Sequence, residues 1–189
     1  MTLTPDIESQ HSAARGFTVI ELLIVVVIIG ILMAIAAPSL RAMIIGNQVR
    51  SVASDLLNDM AIARNEAAKR SQRTVICKSN DQNTCVNSAT WGNGWIVFVD
   101  ADNSLQRNLV GTTEPLIRVK QAVPNSVSFT VAPPPAPPDN VQFRAFGVIT
   151  AAATQAFTIC PTDTGTGIAG RTITMTPLGR VQSAVAVCP

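Results

Sequence analysis

The chain has 189 residues, a formal charge of +2, 47% hydrophobic and 14% charged residues, four cysteines and no tyrosine. This length accommodates one ordinary soluble domain beside a single membrane helix, and so small a positive charge does not by itself announce a nucleic-acid partner. The only histidine is His11, so the rest of the chain has no Ser–His or Cys–His pair and no histidine metal ligand.

The first feature in chain order is an apolar run. Between Arg15 and Arg41 the only ionisable residue is Glu21, and Leu22 to Leu40 is free of charge. As a helix that stretch measures about 28 Å, against a hydrocarbon core of about 30 Å. It is too long for the apolar core of a secretory signal peptide, and the polar flank before it carries Asp6 and Glu8. A retained membrane helix is therefore expected. A carboxylate at its outer end costs at least a few kcal/mol in hydrocarbon, so Glu21 needs a partner or a purpose. The alternative is a helix-end residue that snorkels to the interface.

The segment Arg15-Gly16-Phe17-Thr18-Val19-Ile20-Glu21-Leu22 resembles the class III signal of type IV pilins and type II secretion pseudopilins. Glycine before phenylalanine, glutamate five residues after the glycine, and an apolar span coincide. The resemblance implies a leader, residues 1–16, cleaved after Gly16 by a prepilin peptidase, with N-methylation of Phe17. It also implies that Glu21 meets the terminal amine of a neighbouring subunit, a pairing that spares both buried charges and sets axial register. The leader carries −1, so the mature chain would carry +3.

Beyond Pro38 the helical pattern continues. Ile45, Val49, Val52, Leu56, Met60, Ala63 and Ala67 recur at three- and four-residue steps, while Arg50, Asp55, Asn58 and Arg64 fall largely on other faces. One helix is expected over residues 17–70, in the membrane to about residue 40, with Pro38 kinking or loosening it. After Ser71 the period becomes alternating. Arg73–Cys77, Trp95–Asp100, Leu116–Lys120, Ser126–Val131, Val141–Phe146, Ala156–Cys160, Arg171–Thr176 and Val181–Val187 read as strands. The proline-rich stretch 132–138 reads as a stiff extended loop. The expected class is α+β: a long hydrophobic helix packed on an antiparallel sheet or sandwich formed by residues 71–189.

The four cysteines form no C-x-x-C, and an even number downstream of a membrane span fits disulfides in the periplasm. Three pairings are open, and reduced, buried cysteines are a further alternative. Our expectation is Cys77–Cys85 closing a polar loop and Cys160–Cys188 tying down the carboxyl terminus.

Two patterns are decoys. Gly165-Thr166-Gly167-Ile168-Ala169-Gly170 satisfies G-x-G-x-x-G, but the alternating residues that follow it read as a strand rather than the helix a dinucleotide site requires. Asp100-x-Asp102-Asn103 matches the start of a calcium loop but lacks that loop's glycine and distal glutamate, so it reads as a polar turn and no metal site is expected.

Trp91-Gly92-Asn93-Gly94-Trp95-Ile96-Val97-Phe98-Val99-Asp100 and Thr176-Pro177-Leu178-Gly179-Arg180-Val181 resemble two β motifs of the GspH/FimT group. The helix end Leu57…Ala63-Arg64-Asn65-Glu66-Ala67 is similar to it as well. The resemblance implies a non-enzymatic minor pilin or pseudopilin that uses no cofactor and acts at filament initiation or at the tip. Its implied partners are other minor subunits, the major pilin, a prepilin peptidase and inner-membrane lipid, with the β domain in the periplasm. Some FimT-type members are thought to bind DNA through Gly-Arg-x-Arg. Gly179-Arg180-Val181-Gln182 keeps only the first arginine, which favours a FimU- or GspH-like structural role. Arg180, Arg171 and Arg144 are the candidates should DNA be a partner. The alternative for them is solvated strand-edge arginines that discourage edge pairing.

Overall fold

The computed structural model describes residues 16–109, 114–130, 138–151, 153–163 and 167–188. One helix, α1, covers Val19–Arg70, and eight strands follow it: β1 (Arg73–Lys78), β2 (Trp95–Asp100), β3 (Leu116–Lys120), β4 (Val127–Thr130), β5 (Asn140–Phe143), β6 (Gln155–Pro161), β7 (Gly170–Met175) and β8 (Val181–Ala186). The chain divides into two units, one up to Leu40 and one from Arg41.

In the first unit, residues 16–40 are all exposed. Helix α1 begins at Val19 rather than Phe17, because Thr18 caps it: the Glu21 N–H donates to Thr18 Oγ1 at 3.3 Å and the Leu22 N–H to Thr18 O at 3.2 Å. The helix continues through Pro38. Proline has no N–H to give the preceding turn; the neighbouring Ser39 Oγ donates to Ala36 O at 2.9 Å.

The second unit holds the core. Its strands form two antiparallel four-stranded sheets, ordered β3-β2-β1-β5 and β4-β6-β7-β8. The period-3.6 stripe of the sequence supplies the helical side of the core, with Val49, Val52, Ala53, Leu56, Met60, Ala63 and Ala67 buried. Against it lie Ile76, Trp95, Val97, Val141 and Phe143 of the first sheet and Phe157, Ile159, Ile173 and Met175 of the second. Period-2 alternation sends Val75, Cys77, Ile96 and Phe98 to the other face of the first sheet, where Leu105, Leu116 and Cys85 cover them.

Trp91 sits in a single 3-10 turn, Trp91–Asn93, and packs edge-on against Phe157 with ring centroids 5.0 Å apart. Gly94 turns the chain from there into β2 at φ +109°, and a Cβ on it would lie 2.3 Å from Lys120 O. The spacing of the W-x-x-G-W motif thus follows from a close backbone crossing that only glycine permits.

The expected strand Val141–Phe146 is shorter in the structure. It ends at Phe143, and Arg144 to Val148 form a turn closed by Gly147 N–H to Arg144 O (2.7 Å) and Arg144 N–H to Val148 O (2.8 Å). Gly147 takes φ +72°, which reverses the chain. β4 starts at Val127 and β8 ends at Ala186, one residue inside the expected bounds in each case. Residues 131–137, which include most of the proline-rich stretch, and the leader up to Arg15 lie outside the described residues, as do Gly165 and Thr166. The rest of the glycine-rich segment leads into strand β7, so no helix N-terminus faces it.

Cys77 is bonded to Cys85 and Cys160 to Cys188. The second bridge passes over β7 at Gly170, where a Cβ would lie 2.4 Å from Cys188 Sγ and 3.0 Å from Cys160 Sγ.

Candidate functional site

Three of the sequence-predicted positions, Gly16, Phe17 and Glu21, lie together at the start of α1. Phe17 is 80% exposed, and the apolar side chains that follow it, Ile20 and Leu22 to Ile29 among them, are exposed as well. Glu21 occupies the first helical turn, where the unpaired N–H groups and the helix dipole favour a negative charge. It is the only charged residue in an apolar cylinder that has no cover within its own unit. An apolar surface of that length is compatible with lipid or with the helices of other subunits, and with little else.

The arginine candidates separate into two places. Arg171 is the second residue of β7 and lines a groove with Ala42, Met43, Gly46, Asn47 and Arg50. Arg180 lies beyond the other end of β7, at the turn before β8. There it meets Arg144 and a residue the sequence analysis had not singled out for binding, Arg64 of α1. The two turns are tied together by the Ile149 N–H donating to Pro177 O at 3.1 Å. A Cβ on Gly179 would fall 2.0 Å from Gly147 O, and one on Gly147 would fall 2.9 Å from Arg64 Cγ. Both glycines have positive φ, so the two tips interlock beneath the Arg64 stem.

The edge built this way carries Arg64, Arg144 and Arg180, all exposed, together with Phe146 (89% exposed) and Leu178 (73% exposed). None of the three arginines pairs with a carboxylate among the described residues. Gln182 occupies the place of the second arginine in Gly-Arg-x-Arg. With its amide oxygen turned inward it accepts from Arg180 Nε at 2.6 Å and Nη2 at 3.0 Å. The departure from the motif therefore replaces a charge with a group that holds Arg180 in place.

Two acidic residues of α1 also escaped the sequence analysis as anchoring groups. Asp55 accepts from Lys120 Nζ at 2.6 Å, and buried Asp59 accepts from Trp95 Nε1 at 2.8 Å and Arg118 Nε at 3.2 Å. An aspartate every fourth residue on a helix was the available signal, but nothing in one sequence names its partners.

A family model described as type II transport protein GspH matches residues 52–179, and a prokaryotic N-terminal methylation motif matches residues 11–37. The chain belongs to the GspH family. With the methylation motif, this makes it a type IV pilin-like minor pilin or pseudopilin. Its fold is similar to that of the type IV minor pilin FimU of Pseudomonas aeruginosa, with 21% identity over 73% of this chain and 89% of that one and a TM-score of 0.52. The minor pseudopilin EpsH from the type 2 secretion system of Vibrio cholerae is similar over 73% of this chain and 97% of its own, at 9% identity and a TM-score of 0.48. No curated protein sequence matches the chain significantly. Membership of this GspH-type family implies assembly with other pilins, processing by a prepilin peptidase, and anchoring through the apolar helix.

Proposed function

We propose that this chain is a low-abundance structural subunit that helps initiate a type IV pilus and resides at or near its tip. On this reading the leader is removed after Gly16, Phe17 is N-methylated, and the apolar helix stores the subunit in the inner membrane with the β domain in the periplasm. Glu21 then draws it into register by pairing with the terminal amine of a neighbouring subunit.

The observation that carries the reading is Glu21 itself, alone among exposed apolar side chains in the first turn of α1. A carboxylate there is costly in lipid and is relieved by an ammonium brought by another subunit. The test is Glu21→Ala in the native cell. Cleavage after Gly16 should persist while incorporation into filaments is lost, and normal incorporation would sink the proposal. Photo-crosslinking from positions beside Glu21 and from Phe146 identifies the machine. Capture of pilins supports the pilus, whereas capture of secretion pseudopilins would make this the minor pseudopilin H of a type II secretion system.

A second reading, DNA binding during uptake, is favoured by one observation, the grouping of Arg64, Arg144 and Arg180 beside exposed Phe146. Guanidinium groups neutralise phosphates and an aromatic face stacks on unpaired bases. Arg171 stands at the far end of β7 and is not part of this edge.

A further inference from the structure

We propose that the loop following β2 holds a calcium ion between Asp100, Asp102 and Glu114. One carboxylate oxygen from each of these residues lies within 4.8 Å of the others. That is within the span one ion bridges at Ca–O distances of about 2.4 Å, and a site made of protein carboxylates alone suits calcium better than magnesium, which sheds its waters reluctantly.

The donors around the three carboxylates are nearly all accounted for. Asp100 Oδ1 and Asp102 Oδ1 both accept from the Ser104 N–H, at 3.1 and 2.9 Å. Asp102 Oδ2 accepts from the Asn108 side-chain amide. Glu114 Oε1 accepts from the Ala101 N–H at 3.2 Å, and Oε2 from the Asn108 N–H at 2.6 Å. The sixth oxygen, Asp100 Oδ2, has no hydrogen-bond partner among the described residues, although Asp100 is only 1% exposed. A buried carboxylate oxygen without a hydrogen-bond donor, beside two further carboxylates, is a group that a bound cation would satisfy.

Two arginines approach the cluster, and neither completes it. Arg73 Nη1 is 4.0 Å from Asp100 Oδ2, beyond hydrogen-bonding distance, and donates instead to Gln142 Oε1 at 3.4 Å. Arg107 directs its guanidinium to the Glu114 carbonyl and to Asn83. Three carboxylates balanced only by the long ion pair of Arg73 with Asp100, oxygen-only donors and one exposed member, Asp102, through which an ion can enter, match a hard divalent cation rather than a soft metal. The sequence pattern hid this because the third acid, Glu114, arrives from just before β3, later than the closing glutamate of a helix–loop–helix calcium loop.

The test is calorimetric titration of the full-length chain, purified in detergent and stripped with a chelator. Calcium chloride should bind at one site with a Kd on the order of 10⁻⁵ to 10⁻³ M, raise the Tm, and bind at least tenfold more tightly than magnesium. Asp102→Asn, an exposed change that leaves the core intact, should weaken calcium binding at least tenfold, as should Glu114→Gln. The absence of heat and of a Tm shift at millimolar calcium would overturn the proposal. Magnesium binding of equal strength, or calcium binding untouched by Asp102→Asn in a chain with parental circular dichroism, would overturn it as well.

Discussion

Asp59 Oδ2 accepts the indole N–H of Trp95 at 2.8 Å inside the domain, joining α1 to the second strand of the first sheet. The other oxygen takes Arg118 Nε at 3.2 Å from the adjoining strand, so a single buried carboxylate fastens one helix to two neighbouring strands. Asp59→Ala strips both donors of their acceptor and should cost about 2–3 kcal/mol, read as a lower denaturant midpoint. Combining it with Trp95→Phe in a double-mutant cycle should recover about 1 kcal/mol. Strict additivity of the two changes would show that the pair is not coupled.

At Gly94 the constraint is steric. A methyl group there meets Lys120 O at 2.3 Å in a backbone conformation that L-residues avoid. Gly94→Ala should destabilise the domain by about 3 kcal/mol or more or abolish its accumulation, whereas Gly30→Ala, where a Cβ meets nothing within 4 Å, should leave the yield unchanged.

The Cys160–Cys188 bridge closes a sequence separation of 28 residues. In the chain-entropy account its loss raises the freedom of the unfolded chain by about 3.5 kcal/mol, against about 2.5 kcal/mol for Cys77–Cys85 with its separation of 8. Paired serine replacements at 160 and 188 should therefore lower the Tm more than those at 77 and 85.

Inside the Cys77–Cys85 loop, Asp81 accepts from Thr84 Oγ1 at 2.6 Å, from the Thr84 N–H at 2.8 Å and the Asn83 N–H at 2.9 Å, and from Ser79 Oγ at 2.9 Å. These bonds, led by the Thr84 hydroxyl, hold its carboxyl well below the ordinary value of 3.8. A depressed carboxylate stabilises the fold above its unfolded pKa and loses that contribution as the pH falls through 3.8 and below. Asp81→Asn should cost about 0.5 kcal/mol at neutral pH, the exposed site being screened by solvent. The gap between variant and parent should close in acid. A gap that widens in acid would contradict the assignment.

If nucleic acid is the partner of the arginine edge, Arg180→Ala should weaken DNA binding by the full-length chain and lower the salt slope by about one counterion. Gln182→Ala, which releases the Arg180 guanidinium, should weaken it less and leave the slope unchanged. A gel shift identical for the parent and Arg180→Ala would remove the edge as a DNA site.

Periodicity explains what was legible in the sequence. The apolar run, the stripe from Ile45 to Ala67 and the eight alternating segments correspond to one helix and eight strands, because a side chain's burial in regular structure repeats every 3.6 or 2 residues whatever lies beyond it. The class III signal and the tryptophan–glycine motif were legible for a related reason, since each is a local pattern read along a single element. The overlong reading of β5 failed where Gly147 adopts a positive φ, a turn that hydrophobic alternation alone does not announce.

Tertiary structure alone decided which distant residues meet. Asp59 and Trp95 are 36 residues apart. Arg64 joins Arg144 and Arg180 only because two glycine turns interlock beneath it, and Arg171 leaves them because β7 carries it to the other end of the sheet. Glu114 reaches Asp100 and Asp102 only because β3 pairs with β2. Local pattern specifies elements through backbone geometry. The chemistry of a site depends on the packing and register that set those elements side by side, and no single stretch of chain contains that information.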